Sequence, residues 1–113
     1  MSAPKEIAEF LTYLEKQRGQ SPNTVKAYLR DLAMFVVFCD RHYGGAWGWD
    51  TVDRVGIRGF LGDLQRRGLS KRSAARALSA VRSLYRYLQE NHGVANNVAR
   101  AARSPKLDKR LPT

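Results

Sequence analysis

Ile7, Phe10, Leu11 and Leu14 recur at i, i+3, i+4 and i+7, the period of one helical face, and predict a first amphipathic helix over residues 4–18 that ends near Gly19. A second helix is predicted from Ser21-Pro22, an N-cap hydroxyl followed by a proline where the missing N–H costs nothing. Val25, Tyr28, Leu29, Leu32, Phe35, Val36 and Cys39 carry its apolar stripe for about five turns. The glycine-rich stretch GGAWGWD (44–50) breaks the pattern and predicts a loop with tryptophan folded back onto the core. A third helix is expected over residues 51–67, with Val55, Phe60, Leu61 and Leu64 inward. Gly56, Gly59 and Gly62 weaken it, each costing about 1 kcal/mol relative to alanine, but their spacing allows another helix to come close. Gly68 and Ser70 supply a C-cap and an N-cap, so a sharp turn leads into a fourth helix over 71–91, closed at Gly93. A turn or short fifth helix is expected over 94–102, and then SPKLDKRLPT reads as an extended linker. No segment has the strand period and no internal repeat appears, so the fold class is all-α, a bundle of four main helices. The expected division is one domain over 1–102, with 103–113 the start of a linker.

The 113 residues suit one domain, and a hydrophobic content of 43% suits a folded one. No apolar run approaches the roughly 18 residues that span a bilayer, and MSAPKEIAEF lacks a signal-peptide layout, which predicts a cytoplasmic protein. Cys39, the single cysteine, sits in MFVVFCD and is expected to be a small buried hydrophobe, since nothing nearby would stabilise a thiolate. The net charge of +10 is unevenly placed. Residues 1–56 balance seven basic residues against seven acids, whereas 57–113 carry thirteen against three. A neutral half joined to a basic half predicts a surface that meets a polyanion, either nucleic acid or an anionic membrane.

The basic residues gather on the fourth helix. At about 100° per residue, Lys71, Arg72, Arg76, Ser79, Arg82, Ser83 and Arg86 share an arc of roughly 140°, while Ala74, Leu78, Val81, Tyr85 and Leu88 face the core. Between Leu64 and Gln89 stand seven basic residues and no acid. A solvated face normally mixes signs to gain i,i+4 pairs, so a one-sign face repels itself and calls for an external anion. Arginine suits the task because its planar fork grips phosphate or a guanine edge, and the small Ser and Ala neighbours let a groove wall approach. Asn23, Lys26 and Arg30 form a weaker second surface near the start of helix two. Membrane binding would need exposed large apolar residues flanking the arc, and those of helix four are committed to the core.

The search for chemistry finds little. His42 and His92 are single and lie near helix ends, and no HExxH, GxSxG or P-loop pattern is present. Asp50 and Asp53, just before helix three, fit capping better than acid-base work. Tyr13, Tyr28, Tyr43, Tyr85 and Tyr87 are best explained by packing. No cofactor or metal is expected, and no catalytic constellation is found.

Three ordered motifs carry a resemblance: S-x-N-T-x-x-x-Y-x-x-D-L at 21–32, R-x-L-S-A-V-R-x-L-Y-x-Y-L at 76–88 and S-P-K-L-x-K-R-L-P at 104–112. Over nearly its whole length the chain resembles the N-terminal, SAM-like core-binding domain of tyrosine site-specific recombinases of the Xer type, an orthogonal helical bundle. The resemblance implies one jaw of a C-shaped clamp on double-stranded DNA, with helices two and four meeting the major groove and nearby phosphates. The residues it assigns to DNA are Ser21, Asn23, Thr24, Lys26 and Arg30, with Ser70, Lys71, Arg72, Ser73, Arg76, Ser79 and Arg82. It also implies partner protomers in a DNA-bound tetramer, and a separate C-terminal domain whose tyrosine attacks the scissile phosphate; none of the five tyrosines here matches that nucleophile motif. Asn97-Val98-Ala99 departs from the family's usual Asn-Pro-Ala. The alternative from the residues themselves is a stand-alone helical DNA- or RNA-binding regulator.

Overall fold

The computed structural model describes residues 5–102. Four helices follow in order: α1 (Lys5–Lys16), α2 (Pro22–Tyr43), α3 (Arg54–Arg66) and α4 (Lys71–Asn91). The long helices α2 and α4 pack on each other, α1 and α3 each pack on both, and α1 and α3 do not meet. The core therefore lies around the α2–α4 pair, where Leu32, Phe35, Leu78, Val81, Leu84, Tyr85 and Leu88 are fully buried with Phe10 of α1 and Ile57, Phe60 and Leu64 of α3. Phe35 and Phe60 meet edge to face at 5.1 Å, a geometry aromatic pairs favour.

Each helix after α1 starts on a side-chain cap. Ser21 Oγ accepts from Thr24 N, Asp53 Oδ1 from Gly56 N, and Ser70 Oγ from Ser73 N. Asp53, not Asp50, is the cap, and it starts α3 three residues later than the sequence pattern implies. That start sets the helical phase. Ile57, Phe60 and Leu64 turn inward, Leu61 is half-buried, and Val55 is 60% exposed instead of joining the core. Leu29, expected on the inner stripe of α2, is 49% exposed because Tyr28 and Leu32 already occupy the inward arc. The α3–α4 turn closes as expected: Gly68 adopts φ 88, and Leu69 N donates to Leu64 O at 3.1 Å.

Two of the three spaced glycines do allow close approach. A Cβ on Gly56 would stand 1.9 Å from Tyr43 Oη, and one on Gly59 would stand 3.0 Å from Phe38; Gly62 meets only Arg66 of its own helix. The loop tryptophans fold inward as expected. Trp47 Nε1 donates to Asp40 Oδ1 at 2.7 Å, and Trp49 O accepts from buried Tyr85 Oη at 2.6 Å. Cys39 is fully buried, and desolvation, helped by nearby Asp40, pushes its thiol up to about 12. Residues 94–102 form turns and no fifth helix, yet Val94 and Ala99 are buried and seal the bundle. The expected linker, 103–113, lies outside the described residues.

Candidate nucleic-acid interface

The structure sorts the basic arc of α4 by what holds each side chain. Lys71, Arg72, Arg76, Ser79 and Arg86 are exposed, and Arg82 and Ser83 are half-buried. Arg76 reaches across to α2, where its Nε and Nη2 donate to Asp31 Oδ2 and Oδ1, both at 3.0 Å. These bonds, opposed by partial burial, hold the guanidinium above its ordinary pKa. Asp31 is only 1% exposed, so a buried carboxylate is matched by a planar fork in the two-bond geometry that suits it. Arg82 turns the other way and donates to the carbonyls of Ala99, at 2.8 Å, and Ala102. Asn97 Nδ2 donates to Arg82 O at 3.2 Å, so α4 and the closing turn are tied from both sides.

The acid-free stretch from 64 to 89 is therefore not free of acidic partners. Asp31 arrives from α2, and Asp63, one residue before the stretch, collects Arg41, Arg66 and Arg67 within 3.4–3.8 Å. No spacing rule along α4 could show this. The signal available was Asp31 itself, an acid inside an apolar run on α2.

Part of what remains outward lies near the starts of the two long helices. Neither α2 nor α4 has an acid in its first turn, although the positive helix end would favour one. Instead α4 opens with Lys71 and Arg72, and no acid among the described residues lies within ion-pair distance of either. The cap hydroxyls face the chain: Ser21 Oγ also donates to Thr24 Oγ1 at 3.0 Å and Ser70 Oγ to Ser73 Oγ at 3.1 Å. Asn23, Lys26 and Arg30 are exposed on α2. Five residues separate Lys26 from Asp31 and Lys71 from Arg76, about 7.5 Å along either helix. The Asp31–Arg76 joint thus brings both basic sets to one region of the molecule.

The histidines and the tyrosines beside them make local contacts. His42 stacks on Phe38 at 5.2 Å, His92 Nε2 lies 2.7 Å from Glu9 Oε1, and Tyr13 and Tyr87 pack beside Phe10. Tyr43 Oη donates to Asp53 Oδ1 at 2.7 Å and accepts from Asp53 N at 3.0 Å. Among the described residues no group of three potential metal ligands forms, and no helix is long and apolar enough to cross a membrane.

The chain belongs to the phage integrase N-terminal SAM-like domain family, whose model matches residues 7–92. Among individual proteins it is similar to the tyrosine recombinase XerC of several bacteria. It is 35% identical over 108 residues to that of Pseudomonas fluorescens Pf-5 and 39% to that of Lacticaseibacillus casei, in both covering 96% of this chain and 36% of the relative. To the Psychromonas ingrahamii protein it is 37% identical over 113 residues, 99% of this chain and 37% of the relative. The chain spans little more than a third of the length of the curated relatives it matches. No solved structure matches.

Proposed function

We propose that this chain grips duplex DNA as one jaw of a clamp at a recombination site, serving a tyrosine recombinase whose strand-exchange chemistry resides outside residues 1–102. The start of α4 carries the reading. Lys71 and Arg72 crowd a helix end that is already positive, an arrangement unfavourable by about 0.3–1 kcal/mol per charge unless an anion sits there. A DNA phosphate would remove that penalty and accept the first-turn N–H groups that the Ser70 cap leaves unused. The start of α2 is the weaker twin, because Pro22 contributes no N–H.

In this reading Lys26, Arg30, Lys71 and Arg72 reach phosphates, and Asn23 and Ser79 present the groups able to read base edges. Ser21, Thr24, Ser70 and Ser73 shape the helix starts, and Arg76 positions α2 against α4. Partner protomers would assemble on the same DNA in the cytoplasm, mainly through the longer protein. The test is the anisotropy of a labelled duplex across a salt series. The logarithm of affinity should fall linearly with the logarithm of salt, and K71A/R72A should flatten the slope by about 1.8, roughly 0.9 for each phosphate that is no longer neutralised. A slope the double variant leaves unchanged would remove the start of α4 from the interface, and affinity that ignores salt would overturn the phosphate reading altogether.

A further inference from the structure

Beyond the basic helix starts, a cleft of about 480 Å³ opens at the far end of α4, with Arg82, Ser83 and Arg86 on one wall and Asn97 and Arg100 on the other. Nothing in the local sequence joins these walls. Arg100 comes to the helix because Arg82 holds the carbonyls of Ala99 and Ala102, and Arg100 N donates to Asn97 O at 3.1 Å within the same turn.

The charge state of this cleft differs from that of the Asp31–Arg76 joint. Arg82 is fixed by neutral carbonyls, so its guanidinium is oriented but not neutralised. No acid among the described residues pairs with Arg100. Among the described residues Arg86 pairs only with Glu90, 3.7 Å away, with the two side chains 78% and 60% exposed, a pair too solvated to hold either charge firmly. Three guanidinium groups against one loosely engaged carboxylate leave a concave surface with a surplus of about two positive charges. Of its remaining groups, the Ser83 hydroxyl can also donate a hydrogen bond, while the Gln89 and Asn97 amides donate to Ala95 O and Arg82 O.

We propose that this cleft is a second anion seat, taking one phosphodiester of the same duplex that the start of α4 contacts; it rests on the DNA-gripping reading above. Arg72 and Arg86 are fourteen residues apart, about 21 Å along the helix. A major groove is about 12 Å wide. The two ends of α4 therefore overreach the groove and meet the backbones on its two sides, while the small residues Ala75 and Ser79 lie between. The closing turn, expected from sequence only to end the domain, becomes part of the grip.

The test uses R86A/R100A in the full 113-residue chain, since both side chains are exposed and neither holds the turn. R82K, which keeps a charge but cannot donate to both carbonyls in a fixed fork, probes the turn separately. With circular dichroism and melting unchanged, R86A/R100A should reduce the salt slope of duplex binding by about 0.9, the equivalent of one phosphate. A methylphosphonate placed at the contacted phosphate of the wild-type complex should produce the same reduction, and adding it to the double variant should have no further effect. A slope unchanged in R86A/R100A, with K71A/R72A still flattening it, overturns the cleft and leaves the helix-start contacts standing. Binding of inorganic phosphate at Arg86 and Arg100, seen by NMR without any effect of the variants on DNA, overturns the duplex assignment in favour of a free anion. A wild-type chain that binds no duplex overturns both readings together.

Discussion

Removing the Arg76 guanidinium should unfold this domain at a markedly lower temperature, although the residue sits on a surface expected to face DNA. Arg76→Ala deletes two charge-assisted bonds of 3.0 Å and strands the Asp31 carboxylate at 1% exposure. Breaking a buried pair by removing one partner costs about 3–5 kcal/mol. The Arg76 side chain is itself 47% exposed, so water can enter the space it leaves, and the lower end, about 3 kcal/mol, applies. For a domain of this size 1 kcal/mol shifts the melting midpoint by about 4–8 °C, giving a drop of about 12–24 °C. D31L/R76M replaces both charges with apolar groups of similar volume, and should recover to within about 1 kcal/mol of wild type because no charge is left stranded. The assay is calorimetry or thermal circular dichroism on the three proteins, followed by the DNA salt series on the double variant. A single variant that melts within a few degrees of wild type would refute the buried-pair argument. A double variant that folds but loses about 0.9 of the salt slope would show that Arg76 touches phosphate as well.

Gly56→Ala should lower the urea midpoint despite alanine's better helix propensity, because the new methyl would meet Tyr43 Oη and displace the Tyr43–Asp53 bonds; overpacking of this kind costs about 1–3 kcal/mol, and adding Tyr43→Phe should return part of it. Ser70→Ala should cost about 1 kcal/mol by equilibrium unfolding while leaving the DNA salt slope unchanged, since its hydroxyl is bonded to Ser73. Thermal stability should fall as the pH rises from about 9 to about 12. Burial raises the Cys39 thiol from 9.0, and burial with the Asp53 bond raises Tyr43 from 10.0, each to about 12, so within that window the native state keeps protons that the unfolded chain has lost. A melting midpoint flat through that range would count against the burial of both groups.

The sequence made the helices legible because each apolar stripe keeps one phase for several turns, and Ser21, Ser70 and Gly68 mark ends through local chemistry. Helix α3 was less legible, for its phase depends on which of two nearby aspartates caps it. Asp53 wins through a bond to Gly56 N that is reinforced by Tyr43, ten residues back in the chain. The basic arc of α4 was legible as a count of charges but not as a set of states. Arg76 is neutralised by a residue 45 positions away, and Arg82 is oriented by carbonyls 17 and 20 positions ahead. Helical periodicity places such side chains on a face but cannot say which have already found partners.

That sorting bounds what the domain can do on DNA. With Arg76 held by Asp31, the proposed phosphate contacts are Lys26, Arg30, Lys71, Arg72 and the cleft beside Arg86, five in all. At about −0.9 each they give a salt slope near −4.5, so raising salt fourfold should weaken binding by roughly 500-fold; counting Arg76 as a sixth contact would give about −5.4 and nearly 2,000-fold. Phosphate contacts carry no sequence information, so by themselves they leave the domain in the non-specific range of about 10⁻⁴–10⁻⁶ M at physiological salt. Under the proposed reading, base recognition would fall on the few uncharged groups between the cationic ends, with Asn23 the best suited because its amide can pair with adenine through two bonds. Asn23→Ala should therefore lower discrimination at one base pair by about 1–3 kcal/mol and leave the slope untouched, whereas Lys71→Ala should weaken all sequences alike and flatten it. If Asn23→Ala instead weakened every duplex equally, α2 would be a backbone contact only, and base reading would be left to Ser79 on α4.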